Sequence, residues 1–201
     1  MGKNKKIIIF VAVVLVLILG LVAFVKIKDR HGVVVKSTAD FPVNEKLVAY
    51  RQDNSEWKTD KIGNSKYDME GSGCVITSIA TAISDSEAAM TPGDLNNYFG
   101  ENNVFNEEGN IQWGKIDELD GFYADVYTEK SADIIDGCLA AGHYPIVKIH
   151  RNTLFSYHHY VLIIGAENGD YICMDPLQDN LTKLSDYKNK IYAIRCVYYE
   201  N

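Results

Sequence analysis

Cys74 follows Gly71-Ser72-Gly73 and opens the apolar run CVITSIATAI, a position suited to thiol chemistry. Ile76, Ile79, Ala80 and Ile83 recur there at helical spacing, and the two glycines break the chain just before. At a helix start the unpaired backbone N–H groups and the helix dipole favour a thiolate, the form that attacks. The same position also suits a small packed residue, so the thiol calls for a partner. His159 is the candidate base: His158-His159 opens HHYVLIIG, placing a histidine at the rim of a sheet. Strand alternation points the rival base, His158, away from whichever face His159 occupies. Asp175 comes sixteen residues after His159 and ends the run YICMD. Asn168-Gly169 is a strong hairpin turn, which brings His159 and Asp175 to the same end of neighbouring strands. Counting outward from a two-residue turn sets Asp175 opposite Leu162, so a bulge or irregular strand end must bring it to His159. Taken alone, Asp175-Pro176 reads as a turn start. Gln52, 22 residues before Cys74, is a neutral donor that could join the Cys74 N–H in an oxyanion hole.

The elements that must hold these residues divide into a helical half and a strand half. Thr91-Pro92-Gly93-Asp94 writes a helix start, with Thr91 as N-cap, Pro92 at the first position and Asp94 closing a capping box. A short helix is expected at 113–119, a strand at 122–127, and a helix at 131–141 opened by Ser131 and closed by Gly142. Strands follow at 144–150, 159–166, 171–174 and about 190–199, rich in β-branched and aromatic residues. Helices first and consecutive strands later predict an α+β domain with a mainly antiparallel sheet.

Residues 7–25 carry no charge and no proline, and lysines flank them on both sides. As a helix they span about 28 Å, close to the ~30 Å hydrocarbon core of a bilayer. The run is longer than a signal-peptide core, and no small-x-small cleavage site follows it, so an uncleaved transmembrane helix is expected. Gly2 does not signal myristoylation, because position 6 is Lys. The organisation read is a basic tail at 1–6, the anchor at 7–25, a juxtamembrane linker at 26–45 and one domain at 46–201. Residues 1–30 hold six basic residues and one acidic, which leaves 14 basic against 26 acidic and a formal charge of −12. That balance argues against nucleic acid as a partner. No CxxC occurs, and no Cys/His set has zinc spacing, so no structural metal is expected. Cys138, Cys173 and Cys196 lie in apolar stretches and read as small core residues. His143 and His150 read as surface residues at strand ends. Trp57 and Trp113 read as packing residues, although Trp57, close to Gln52, could line a groove.

YRQDNSEW, GSGCVITSIATAIS, TPGDL, HHYVLIIG and YICMDP form an ordered series, within a resemblance that runs from about residue 48 to 198. The series resembles the papain-like cysteine peptidases related to the double-glycine peptidases that trim bacteriocin leaders, especially their stand-alone relatives. The resemblance implies a papain-like fold, with Cys74 as nucleophile, His159 as base, Asp175 as its orienting residue and Gln52 as oxyanion-hole donor. It implies a monomeric thiol hydrolase acting on a peptide or amide bond without metal or organic cofactor. It also favours a domain outside the cell membrane, because flanking charge does not decide the orientation. Leader peptidases proper are usually fused to a transporter, and nothing of that kind is present here. Two rival readings are a silent papain-like module that binds a peptide or cell-wall component, and acyl transfer by the same thiol.

Overall fold

The computed structural model describes residues 9–17, 20, 31–151 and 157–200, which fall into two units divided after Gly32. In the first unit, residues 9–17 are helical and expose apolar side chains, among them Phe10, Leu15, Val16 and Leu17. The remainder of the expected span at 7–25, apart from helical residue 20, lies outside the described residues. Among the described residues no helix is long and apolar enough to cross a membrane.

The second unit is α+β, as its sequence predicts. Its helices are α1 (Met69–Ser72), α2 (Cys74–Ala82), α3 (Pro92–Glu101), α4 (Trp113–Ile116) and α5 (Ala132–Ala140). Its strands are β1 (Val33–Val34), β2 (Phe122–Tyr127), β3 (Pro145–Arg151), β4 (Tyr157–Glu167), β5 (Asp170–Met174), β6 (Thr182–Lys183), β7 (Lys190–Ile191) and β8 (Ala193–Tyr199). A 3₁₀ turn spans Leu184–Tyr187. Six strands form one sheet in the order β2-β8-β3-β4-β5-β6, antiparallel at every pairing, while β1 pairs with β7.

Helix starts fall where side-chain acceptors cap them. Thr91 Oγ1 accepts from Asp94 N at 3.2 Å, and Ser131 Oγ accepts from Ile134 N at 3.4 Å. The expected helix at 113–119 is shorter, ending at Ile116, and the single last strand is two strands parted at Tyr192. The central strands are apolar on both faces because both faces are covered. Leu162, Ile164 and Ile146 pack with Ile76, Ile79 and Leu95 from α2 and α3. The alternate residues Val161, Ile163, Val147 and Ile149 pack with Ile135 of α5 and Leu184.

A register shift on β4 sets up the site. Near the Asn168-Gly169 turn the pairs are Glu167–Asp170, Ala166–Tyr171 and Gly165–Ile172, but further along they become Ile163–Cys173 and Leu162–Met174. One extra residue on β4 therefore carries Asp175 past Leu162 to the level of Val161. Because side chains alternate, that slip moves Asp175 onto the face His159 shares with Val161. Gly165 stands at the shift. A Cβ there would meet Phe41 O at 2.8 Å, where Phe41 exchanges two backbone hydrogen bonds with Ala166. Glycine is what lets that segment cross so closely.

Candidate active site

Cys74 is the first residue of α2, but the chain before it does not break as the glycines predict. Residues 69–72 already form α1, capped by Asp68, whose carboxylate accepts from Gly71 N at 3.0 Å. Gly73 joins the two helices. A Cβ on it would meet Met69 O at 2.6 Å, so the junction closes only around glycine. In an unbroken helix the Cys74 N–H would bond to the Glu70 carbonyl. That carbonyl instead accepts from Gln52 Nε2 at 2.7 Å. Among the described residues no backbone carbonyl takes the Cys74 N–H.

Gln52 is buried and sits between the two halves of the site. Its backbone N–H donates to Pro176 O at 3.0 Å, next to Asp175, while its side chain reaches Glu70 just before the cysteine. Turning the amide over would set Oε1 against the Glu70 oxygen, so the orientation is fixed by that bond. One N–H of Nε2 stays uncommitted among the described residues, and Oε1 is buried without a partner.

His159 is 2% exposed and lies 2.6 Å, through Nε2, from Asp175 Oδ1. Nε2 is thus taken by the carboxylate, which leaves Nδ1 for the thiol side. Burial opposes charge on this imidazole, yet the Asp175 carboxylate and the Cys74 side chain beside it outweigh burial and raise its pKa from 6.5 to about 9. Asp175 is desolvated as well, but hydrogen bonds from His159, Tyr187 and Leu177 hold it below the ordinary carboxylate range. Its Oδ1 accepts from Leu177 N at 2.8 Å, so the turn-forming role of Asp-Pro and the contact with His159 coexist. Oδ2 accepts from Tyr187 Oη at 2.6 Å, and burial with that carboxylate raises the tyrosine pKa. Tyr187 belongs to the 3₁₀ turn, and no sequence signal pointed to it.

A groove of about 570 Å³ runs in front of Cys74, lined among others by Tyr67, Ser72, Trp113, His158 and Tyr160. One expectation holds and one needs correction. His158 parts from His159 by alternation, one exposed and the other buried, and it borders this groove. The reason is that the face of β4 bearing Tyr160 and Leu162 is the one that meets α2 and α3, and the groove extends beyond the start of α2 on that same face. Trp113, not Trp57, lines the groove. Trp57 is buried, with its Nε1 donating to Arg51 O at 2.9 Å. His150 is half-buried and stacks on Tyr192, and His143 stacks on Tyr198. Cys138, Cys173 and Cys196 are buried, and Cys74 is the partly exposed thiol among the four.

No protein-family model matches this chain, and a comparison with curated proteins found no match. The functional reading therefore rests on the site itself.

Proposed function

We propose that the domain is a papain-like thiol hydrolase that cleaves a peptide or amide bond. The observation that carries this is the buried His159 imidazole, held at 2.6 Å by Asp175 and placed beside a cysteine that borders a groove. A helix bearing the cysteine against a sheet bearing His and Asp supports the papain-like assignment.

In this mechanism the Cys74 sulfur attacks the substrate carbonyl carbon as a thiolate, its proton held on His159. The carbonyl oxygen gains the negative charge and is met by the Cys74 N–H and the free N–H of Gln52. His159 passes its proton to the leaving nitrogen as the C–N bond breaks, which leaves a thioester on Cys74. The neutral imidazole then takes a proton from water, whose oxygen displaces the sulfur and releases the acid. Asp175 fixes the ring and stabilises the imidazolium, as the carboxylate does in a Ser-His-Asp triad.

The exposed apolar side chains of helical residues 9–17 support the further reading that residues 7–25 anchor the chain in the cell membrane. In this reading the chain is a single-pass monomer with its domain outside. The deciding experiment treats the full chain and its Cys74→Ala variant with a mixed peptide library and analyses products by mass spectrometry. New termini should arise with the wild type and not with the variant, and an electrophilic thiol probe should label Cys74. Cleavage that survives in Cys74→Ala, or labelling that favours a buried cysteine, would overturn the assignment.

A further inference from the structure

We propose that Glu108 makes the groove in front of Cys74 selective for cationic peptides, those with a lysine or arginine close to an apolar or aromatic residue. This deepens the proposed hydrolase and rests on reading that groove as its substrate groove. At about 570 Å³ the groove falls within the ~300–1,000 Å³ usual for ligand sites. Much of its wall is apolar or aromatic, with Tyr67, Ile111, Trp113 and Tyr160 among the side chains. Among the described residues that line it, Glu108 alone carries a formal charge at neutral pH, with histidine counted neutral. Arg195 lies 5.3 Å from the Trp113 ring centre but is not among the lining residues. A peptide that fills the groove with apolar side chains therefore meets negative charge at one place.

The carboxylate is held in place by its own loop. Phe105 and Ile111 pair across it, and Asn106 N donates to Asn110 O at 3.0 Å. Asn106 Oδ1 accepts from the N–H groups of Glu108 and Asn110, at 3.1 and 2.9 Å. Glu108 Oε2 in turn accepts from the Nδ2 groups of Asn106 and Asn110, both at 3.3 Å. Gly109 has φ 78°, and a Cβ on it would meet Ser65 Oγ at 2.6 Å, so the loop lies tight against the chain at Ser65. Two amides orient the carboxylate without neutralising it, so an incoming cation meets a partner already placed. Glu107, the next acidic side chain, lines a different groove. The turn, not the local composition, decides which of the two carboxylates a substrate meets. The domain's formal charge of −12 draws cations to its surface in general, and Glu108 brings that preference into the groove.

The test measures binding without turnover. The full chain carrying Cys74→Ala is titrated into short capped peptides that bear a neutral dye, and fluorescence anisotropy reads the Kd. Each peptide holds one leucine or tyrosine, with lysine, glutamine or glutamate at every other position in turn. The best lysine peptide should bind about 2–5-fold more tightly than its glutamine counterpart, the range of a partly exposed ion pair, and the glutamate peptide more weakly still. Adding Glu108→Gln should remove this preference, and Glu108→Lys should turn it towards glutamate. Adding Glu107→Gln, which removes the same charge one residue away, should leave it intact, and raising the salt should shrink it. Circular dichroism checks that each variant is folded. Failure of every lysine peptide to bind would overturn the proposal. So would a lysine preference that survives Glu108→Gln, which would assign the selectivity to the acidic surface as a whole. Because binding to the Cys74→Ala chain involves no cleavage, this proposal and the proposed hydrolysis fail independently.

Discussion

Replacing Asp175 by Asn removes a charge from the site while leaving its hydrogen bonds satisfiable. The asparagine Oδ1 can still accept from His159 Nε2 and Leu177 N, now at 2.6 and 2.8 Å. Its Nδ2 would take the place of Oδ2 and donate to Tyr187 Oη, whose own proton can turn to Thr182 Oγ1 at 3.3 Å. With the carboxylate gone, burial, the largest influence on the imidazole, works against its charge with only Cys74 to oppose it. The His159 pKa should fall from about 9 to near the ordinary 6.5. At ~1.4 kcal/mol per pH unit, that drop corresponds to about 3 kcal/mol of stabilisation of the imidazolium. The sign for folding follows from linkage. His159 binds its proton more tightly in the folded state, so its contribution is fully present below pH 6.5 and is lost as pH rises through about 9. Titration of the His159 ring proton by NMR reads the midpoint directly, and urea unfolding at several pH values reads the stability. In the wild type, stability should decline between pH 6.5 and 9, and in Asp175→Asn this decline should flatten. A variant midpoint still near 9, or a wild-type midpoint near 6.5, would refute the account of the ion pair.

Other substitutions probe the parts around this pair. Gln52→Ala should lower kcat by about 10²–10³-fold with little change in KM, which steady-state kinetics on a cleaved peptide would check. A change confined to KM would remove Gln52 from the oxyanion role. Gly73→Ala drives a methyl against Met69 O at 2.6 Å, so the melting temperature should fall with a loss of ~1–3 kcal/mol. Tyr187→Phe deletes a donor to a buried carboxylate oxygen and should cost about 1.5–3 kcal/mol in urea unfolding. The full chain should stay with membranes through a carbonate wash, whereas a chain starting at His31 should not. N-terminal sequencing that finds a mature form beginning after Ala23 would identify a cleaved signal peptide instead.

The sequence by itself determined what local chemistry can write. Thr91 and Ser131 announced their helices because a side-chain oxygen satisfies backbone N–H groups within three residues. Asn168-Gly169 announced its turn because both residues adopt positive φ, 56° and 79°. Cys74, His159, Asp175 and Gln52 were legible as candidates from residue type, neighbours and order along the chain. Even the need for an irregular strand was legible, since regular pairing could not bring Asp175 to His159. What only the tertiary structure decided depends on distances between segments far apart in sequence. The shift between Ile163 and Gly165 chose the face on which Asp175 lies, and a crossing segment at Phe41 requires glycine there. Tyr187 reaches Asp175 from a separate turn, and Gln52 takes the Glu70 carbonyl that an unbroken helix would give to Cys74. The groove took Trp113 and His158 as its walls, because which side of a strand lies open is set by what packs over it. A side chain's identity is fixed by the chain, but its partners come from packing, and packing is a property of the whole fold.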